Sequence, residues 1–225
     1  TMLPAVNDIA SNQATPTEAV GAAKDRLLEY CARFPNNELV LHACDMILHS
    51  QSDCSFLSKS KGRSVAGGVF YCGDRDEPTK INGPINTISS IIPVVVASVG
   101  EGEYSSVFLI AREGAMLRNI LEDLGYPQPA THILCDNKCA VGIANDTVTQ
   151  KRTKSIDMQF HWLRDRVRQN QFIVSWRKGC NNLADFFTKA LPAHVHQSLM
   201  PFLVYTPPSP NTRFQKNHSN HSSWR

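Results

Sequence analysis

Apolar positions along the chain follow two different periods. Residues 1–35 carry one helical pattern. Thr15-Pro16-Thr17-Glu18 has the make-up of a helix start, Ala19, Ala22, Ala23, Leu27, Leu28 and Cys31 recur at helical spacing, and Pro35-Asn36-Asn37 ends it. Strand-like runs follow at 39–44, 46–57, 63–72 and 85–96. The last is rich in β-branched residues, and Gly67-Gly68 in the third permits a bulge or a close backbone approach. The three longer runs, joined by short links, predict an antiparallel meander.

The period then changes. Val99, Glu103, Val107, Ile110, Gly114, Leu117, Leu121 and Leu124 share one helical face, closed by Gly125 with Pro127 beyond. Residues 132–135 read as a short buried strand and 137–145 as a short helix. Residues 155–170 read as a second amphipathic helix, 172–176 as the last strand, 182–189 as the start of a final helix, and 194–202 as one more short helix. From 205 the Pro, Ser, Asn and His content predicts a disordered tail. The order strands, helix, strand, helices, strand, helix predicts an α/β domain. Its five-stranded mixed sheet has three antiparallel strands, then parallel ones, with helices on both faces.

Composition narrows the class. The 225 residues are 42% hydrophobic and 19% charged, with a net charge of +3, so the bulk is globular and charge must be read locally. The longest apolar stretch, 91–99, is interrupted by Pro93 and Ser98 and is too short to span a bilayer. No signal-peptide layout opens the chain, which favours an intracellular protein. Seven scattered cysteines argue against a disulfide framework. The Cys135–Cys139 pair lacks the second pair that a structural zinc requires.

Four acidic residues stand where local structure has little use for them. Asp53 sits inside a strand, Glu103 on the apolar stripe of the long helix, Asp136 at the end of a buried strand, and Asp185 between Leu183-Ala184 and Phe186-Phe187. An acid in an apolar setting is costly unless it is paired, protonated or bound to a cation. Taken singly, Asp136 and Asp185 also read as helix-terminal charges, and Asp53 as a solvated edge residue. Jointly they suit divalent metal. Glu101 rivals Glu103, and Asp157 rivals Asp185. Between 151 and 178, eight Lys or Arg face only Asp157 and Asp165, with Phe160, Trp162 and Trp176 interleaved. That concentration suits a nucleic-acid backbone, or else a solvated helix face.

Several of these stretches resemble copia-type retrotransposon Pol polyproteins in the ribonuclease H region that follows the reverse transcriptase. Ser52-Asp53-Cys54-Ser55-Phe56-Leu57-Ser58 resembles S-D-A-S-Y-L-S, and Glu101-Gly102-Glu103-Tyr104 resembles A-E-A-E-Y. Cys135-Asp136-Asn137-Lys138 resembles C-D-N-x, Lys151 to Asp157 resembles R-T-K-H-I-D, and Leu183 to Lys189 resembles L-A-D-x-F-T-K. The likeness covers roughly residues 38–192.

The resemblance implies a ribonuclease H-like fold over 38–204, preceded by the end of an upstream reverse transcriptase or connection region (1–37) and followed by the tail (205–225). It implies hydrolysis of the RNA strand of RNA–DNA hybrids by two Mg2+ or Mn2+ ions held by Asp53, Glu103, Asp136 and Asp185. The hybrid would be contacted by Asn137, Lys151, Arg152, Lys154, Arg164, Arg166, Arg168, Arg177 and Lys178. The upstream reverse transcriptase is the implied protein partner. The implied location is the cytoplasm, a virus-like particle or the nucleus. Gly100 and Gly102, beside Glu103, depart from the pattern at up to ~1 kcal/mol each in helix propensity. They leave open a decayed copy with only a structural or nucleic-acid-binding role. Another two-metal nuclease or a strand-transfer enzyme of the same fold is the third reading.

Overall fold

The structure, a computed structural model, describes residues 2–147 and 157–207, the side chain of Asp157 excepted. Five strands, β1 (Ile47–Lys59), β2 (Arg63–Gly73), β3 (Asn86–Ile91), β4 (Thr131–Cys135) and β5 (Phe172–Trp176), form one sheet in the order β3-β2-β1-β4-β5. The pairs β1–β2 and β2–β3 are antiparallel, while β1–β4 and β4–β5 are parallel. This is the mixed sheet that the order of periods predicts. β3 is shorter than its apolar run because Pro93, which has no N–H, cannot extend the ladder.

Helices cover both faces. On one, α3 (Val99–Asp123) crosses β1 and β2 and shares a core with α4 (Lys138–Ala144) and α5 (Asp157–Arg168), built on Leu48, Phe70, Val107, Ile110, Ile133, Leu163 and Phe172. Ser98 starts α3 by accepting a bond from the Glu101 N–H at 3.2 Å, and Gly125, with φ 90°, supplies the left-handed residue beyond its end. On the opposite face, the 3-10 turn Leu183–Phe187 and α6 (Ala193–Leu199) pack Leu183, Phe186, Phe187 and Leu199 onto Val69 and Tyr71.

The Gly67-Gly68 pair makes the two-sided cover possible. A Cβ on Gly67 would lie 2.8 Å from the Ala184 carbonyl, and one on Gly68 would lie 2.0 Å from Ile110 Cδ1. One glycine admits the 3-10 turn, the next admits α3. No bulge forms there, since the β1–β2 register runs unbroken through both.

Three expectations are corrected. Residues 39–44 are not a strand. The backbone of His42 is satisfied by the Asn82 side chain (2.7 and 2.8 Å) instead of a ladder, and Leu39 and Leu41 are exposed. The N-terminal region holds two helices, α1 (Leu3–Ser11), with Pro4 in its first turn, and α2 (Glu18–Arg33). They have partners in the domain: Asn7 bonds the Ser89 carbonyl at 2.5 Å, Lys59 pairs with Asp8, and Tyr30 meets Met200 and His196. The segment expected as a final helix from 182 is a 3-10 turn. Lys151, Arg152 and Lys154, and the tail from 208, lie outside the described residues. Among the described residues no helix is long and apolar enough to cross a membrane.

Gly67→Ala is expected to destabilise the protein by roughly 1–3 kcal/mol, because backbone must move to admit one methyl. Urea unfolding read by circular dichroism checks this, and an unchanged midpoint contradicts the close-approach reading.

Candidate active site

The middle of β1 is an unusual central strand: His49, Ser50, Gln51, Ser52 and Asp53 are all buried. Buried polar groups persist only where they are hydrogen-bonded, and most of these bonds locate the acids. Ser52 Oγ donates to Ser106 Oγ (3.0 Å), which donates to the Asp53 carbonyl (2.7 Å), fastening α3 to β1 one turn beyond Glu103. Asn182 Nδ2 donates to the Ser52 carbonyl (2.8 Å), and the Leu183 N–H donates to Gln51 Oε1 (2.8 Å), fastening the segment that carries Asp185. β4 pairs Cys135 with Ser52, so Asp53 and Asp136 occupy the next rung of adjacent parallel strands, about 5 Å apart at the backbone.

The structure brings the four acids together. Glu103, Cys135 and Asp136 offer ligand atoms within 4.8 Å of one another. Asp53 accepts a bond from the Thr188 hydroxyl and feels the charge of Asp185. Gly179 closes over Asp136, where a Cβ would sit 2.7 Å from Oδ2. Glu101 is outside the cluster: its carboxylate accepts the Ala97 N–H at 2.7 Å while its own N–H bonds Ser98, a reciprocal capping box. Asp157 begins α5, and its side chain is not described.

Gathering these carboxylates raises their affinity for protons. Burial, then the charge of Asp185, pushes Asp53 up to about 7. Burial, then Asp53 and Asp136, pushes Glu103 up to about 9. Asp136 is raised by burial and Asp185. The one ammonium in the cluster among the described residues is Lys189, 2.9 Å from Asp185 Oδ1. Burial works against its charge, but Asp185, Asp53 and Asp136 raise its pKa. Thr188 and Lys189 were not singled out from the sequence, although both lie in the quoted L-A-D-x-F-T-K stretch. Spacing alone does not reveal which side of a 3-10 turn faces the strand. Gly102 also acquires a reason, since a Cβ there would lie 2.8 Å from Cys54 Sγ. It is a contact glycine that seats the first turn of α3 on β1. Gly100 meets open space and retains its helix-propensity cost.

The basic residues fare differently. Arg164 donates to the Ile143 carbonyl (2.9 Å), pairs with Asp146 (2.6 Å) and stacks on Phe160; Arg168 also pairs with Asp146 (2.7 Å). Arg166 bonds Gln171 at 3.2 Å and lies over Trp162. These three arginines therefore tie α5 to α4 and to the β5 approach. Arg177 keeps Nε and Nη1 buried without a hydrogen-bond partner among the described residues, and Lys178 is exposed. Asn137 is the N-cap of α4, its Oδ1 accepting from Cys139 and Ala140 (2.9 and 3.1 Å). Cavities of about 430 Å³, around Val40 and Phe202, and about 390 Å³, reaching Thr188 and Lys189, lie elsewhere or at the flank. The carboxylates themselves gather where the end of β4 lies beside the middle of β1.

The sequence has counterparts among known proteins. The chain is 29% identical over 210 residues to the retrovirus-related Pol polyprotein from transposon RE1 of Arabidopsis thaliana, 91% of this chain. It is 26% identical over 166 residues to that from transposon TNT 1-94 of Nicotiana tabacum, 74% of this chain. The chain is similar to the Pol polyproteins of plant transposons. It spans 14% and 12% of those two relatives' lengths. No protein-family model matches it. Among solved structures, it is similar to the N-terminal RNase H domain of a Mycobacterium tuberculosis protein (15% identity, 68% of this chain and 98% of that one, TM-score 0.47). It is also similar to LC11-RNase H1 in complex with RNA/DNA hybrid (12% identity, 63% and 93%, TM-score 0.47). Both likenesses are distant, and the architecture rests on the sheet order itself. The likeness to Pol polyproteins agrees with the motifs quoted from the sequence.

Two outcomes are expected. For Asp53 and Glu103 the folded values, about 7 and 9, lie above the ordinary 3.8 and 4.5. The folded form therefore holds protons that the unfolded form has released. This stabilisation is complete below about pH 4 and is lost as pH rises through about 7 and then about 9. The melting temperature of the metal-free protein should fall from about pH 5 to 9, and Glu103→Gln should flatten that slope; a rising melting temperature contradicts the cluster. Arg164→Ala should cost about 1–3 kcal/mol in thermal unfolding, by removing the buried end of an ion pair and leaving the Ile143 carbonyl without its donor. A change within the error of measurement would show those bonds to be idle.

Proposed function

We propose that this chain hydrolyses the RNA strand of RNA–DNA hybrids, as the ribonuclease H part of a retrotransposon Pol polyprotein. The observation that carries the reading is the convergence of Asp53, Glu103, Asp136 and Asp185 from a strand, a helix, a strand end and a 3-10 turn, with Lys189 as near counter-charge. Like charges gathered in a buried site repel unless they are protonated or offset by a cation, and bound divalent metal would supply that offset. The donors are carboxylate oxygens, which suit Mg2+ or Mn2+. Preference for the hybrid rests on the resemblance to copia-type Pol, as does the assignment of residues 1–37 to the end of an upstream reverse transcriptase and the intracellular location.

In this reading Asp53, Glu103, Asp136 and Asp185 would hold two divalent ions. When bound, those ions supply an activated water and stabilise the leaving oxygen at phosphorus. The rest is done by the chain. Thr188 fixes the rotamer of Asp53 through its hydroxyl, and Lys189 holds Asp185. Ser106 and Asn182 hold the backbone on either side of Asp53, so the carboxylates meet a phosphate without reorganising. Gly179 leaves the room in which Asp136 sits. The nearness of the four acids and the packing of Gly102 against Cys54 support the active reading over that of a decayed copy with only a structural or nucleic-acid-binding role, and Gly100 keeps its helix-propensity cost.

Asp136→Asn should abolish Mg2+-dependent cleavage of a labelled hybrid while leaving the metal-free fold intact or slightly more stable, because one repelling charge is removed and shape is kept. Cleavage and thermal unfolding, each with and without Mg2+, decide it. Retained cleavage together with a metal-independent loss of melting temperature would overturn the assignment. Equal cutting of hybrid, double-stranded DNA and double-stranded RNA would overturn the hybrid preference while leaving the site.

A further inference from the structure

Trp176 ends β5 in an unusual position. Phe172 and Val174, on the same side of the strand, are buried in the core, yet Trp176, the next in that alternation, is 47% exposed. It is nevertheless held firmly. Its indole N–H donates to the backbone carbonyl of Asp136 at 2.9 Å, and its backbone is the last rung of the β4 ladder, opposite Cys135. Over its ring stands the ammonium of Lys138, 4.7 Å from the centroid. Lys138 is exposed, at the first position of α4, and forms no ion pair among the described residues. A half-exposed indole pairs a large apolar face with a polar tip, the kind of side chain enriched at interfaces. Here a hydrogen bond to the residue bearing one of the site's carboxylates holds the ring in place.

A rigid aromatic face and an ammonium without a counter-ion thus stand side by side, one residue from the carboxylate cluster. That combination matches one repeating unit of a nucleic acid: a phosphate for the ammonium and an apolar sugar face for the indole. The arginines of α5 offer less, because Arg164 and Arg168 are engaged by Asp146 and Arg166 by Gln171.

Resting on the function proposed above, we propose that Lys138 and Trp176 form the substrate-holding step at the rim of the site, the ammonium taking a backbone phosphate and the indole packing on the ribose of the adjoining nucleotide. Both act as binding residues that place the strand against the carboxylates.

The test uses the full chain carrying Asp136→Asn, so that the probe, a fluorescein-labelled RNA–DNA hybrid of about a dozen base pairs, is bound and not cut. Trp176→Ala should weaken binding on the order of ten-fold, the size of a truncated aromatic anchor. Trp176→Phe should recover part of that loss. Lys138→Gln should lower the slope of log affinity against log salt by about one. Indole emission should shift to the blue on binding in the parent and lose that component in Trp176→Phe, as the half-exposed ring leaves water. Unchanged affinity in both Trp176 variants, or an identical emission shift in Trp176→Phe, overturns the proposal. Should Trp176→Ala fail to fold, Trp176→Phe and Lys138→Gln decide the question by the same two readouts, emission shift and salt slope. If the parent binds no hybrid at all, the functional reading falls with it; if the parent binds and the variants match it, only this inference falls.

Discussion

Electrostatic repulsion inside a water-poor site is the constraint on which the rest of this structure depends. Asp53 and Glu103 are buried, and Asp136 and Asp185 stand close enough to raise their proton affinity. Left to themselves, such groups would turn outward to water. They are held by neutral hydrogen bonds that contribute geometry without cancelling charge: Ser52 through Ser106 to the Asp53 carbonyl, Asn182 to the Ser52 carbonyl, and the Leu183 N–H to Gln51 Oε1. The polar run of β1 is therefore a fastening strip. It ties one element to each face of the sheet and sets the carboxylates between them, beside the end of β4.

The two-sided packing follows from the same strand pair. Because adjacent residues of β2 point to opposite faces, a Gly-Gly step lets α3 and the 3-10 turn both approach at backbone distance. Gly102 does the same at the first turn of α3 against Cys54. What looks like weakened helix propensity in the sequence is the space that brings Glu103 to the sheet. A local cost of up to ~1 kcal/mol is outweighed by the contact it admits.

Positive charge is divided by role. Arg164 acts inward, closing α5 onto the end of α4 through Asp146 and the Ile143 carbonyl, while the exposed Arg168 reaches the same Asp146. Lys189 sits among the acids. Lys138, stacked on Trp176, faces outward at the rim. A count of basic residues along the chain weighs all of these equally, although they differ in partner and in exposure.

The sequence by itself determined the element order, the switch from alternating to helical period at Val99, and the four isolated acids, because each is a property of neighbouring residues. Periodicity located β1, β2, β5 and α3 closely, and the acids stood out by position: inside a strand, on an apolar helix stripe, at a strand end and between two apolar pairs. Other features were decided only by the tertiary structure. The run 39–44 has the composition of a strand, yet Asn82, distant in sequence, takes the backbone bonds of His42 that a ladder would have used. Glu101 and Glu103 are equivalent in composition, but one caps α3 and the other turns to the sheet, since residues two apart on a helix point about 200° apart. Thr188, Lys189, Trp176 and the inward turn of Arg164 likewise depend on partners far along the chain. No local pattern encodes which side chain a folded sheet places opposite another.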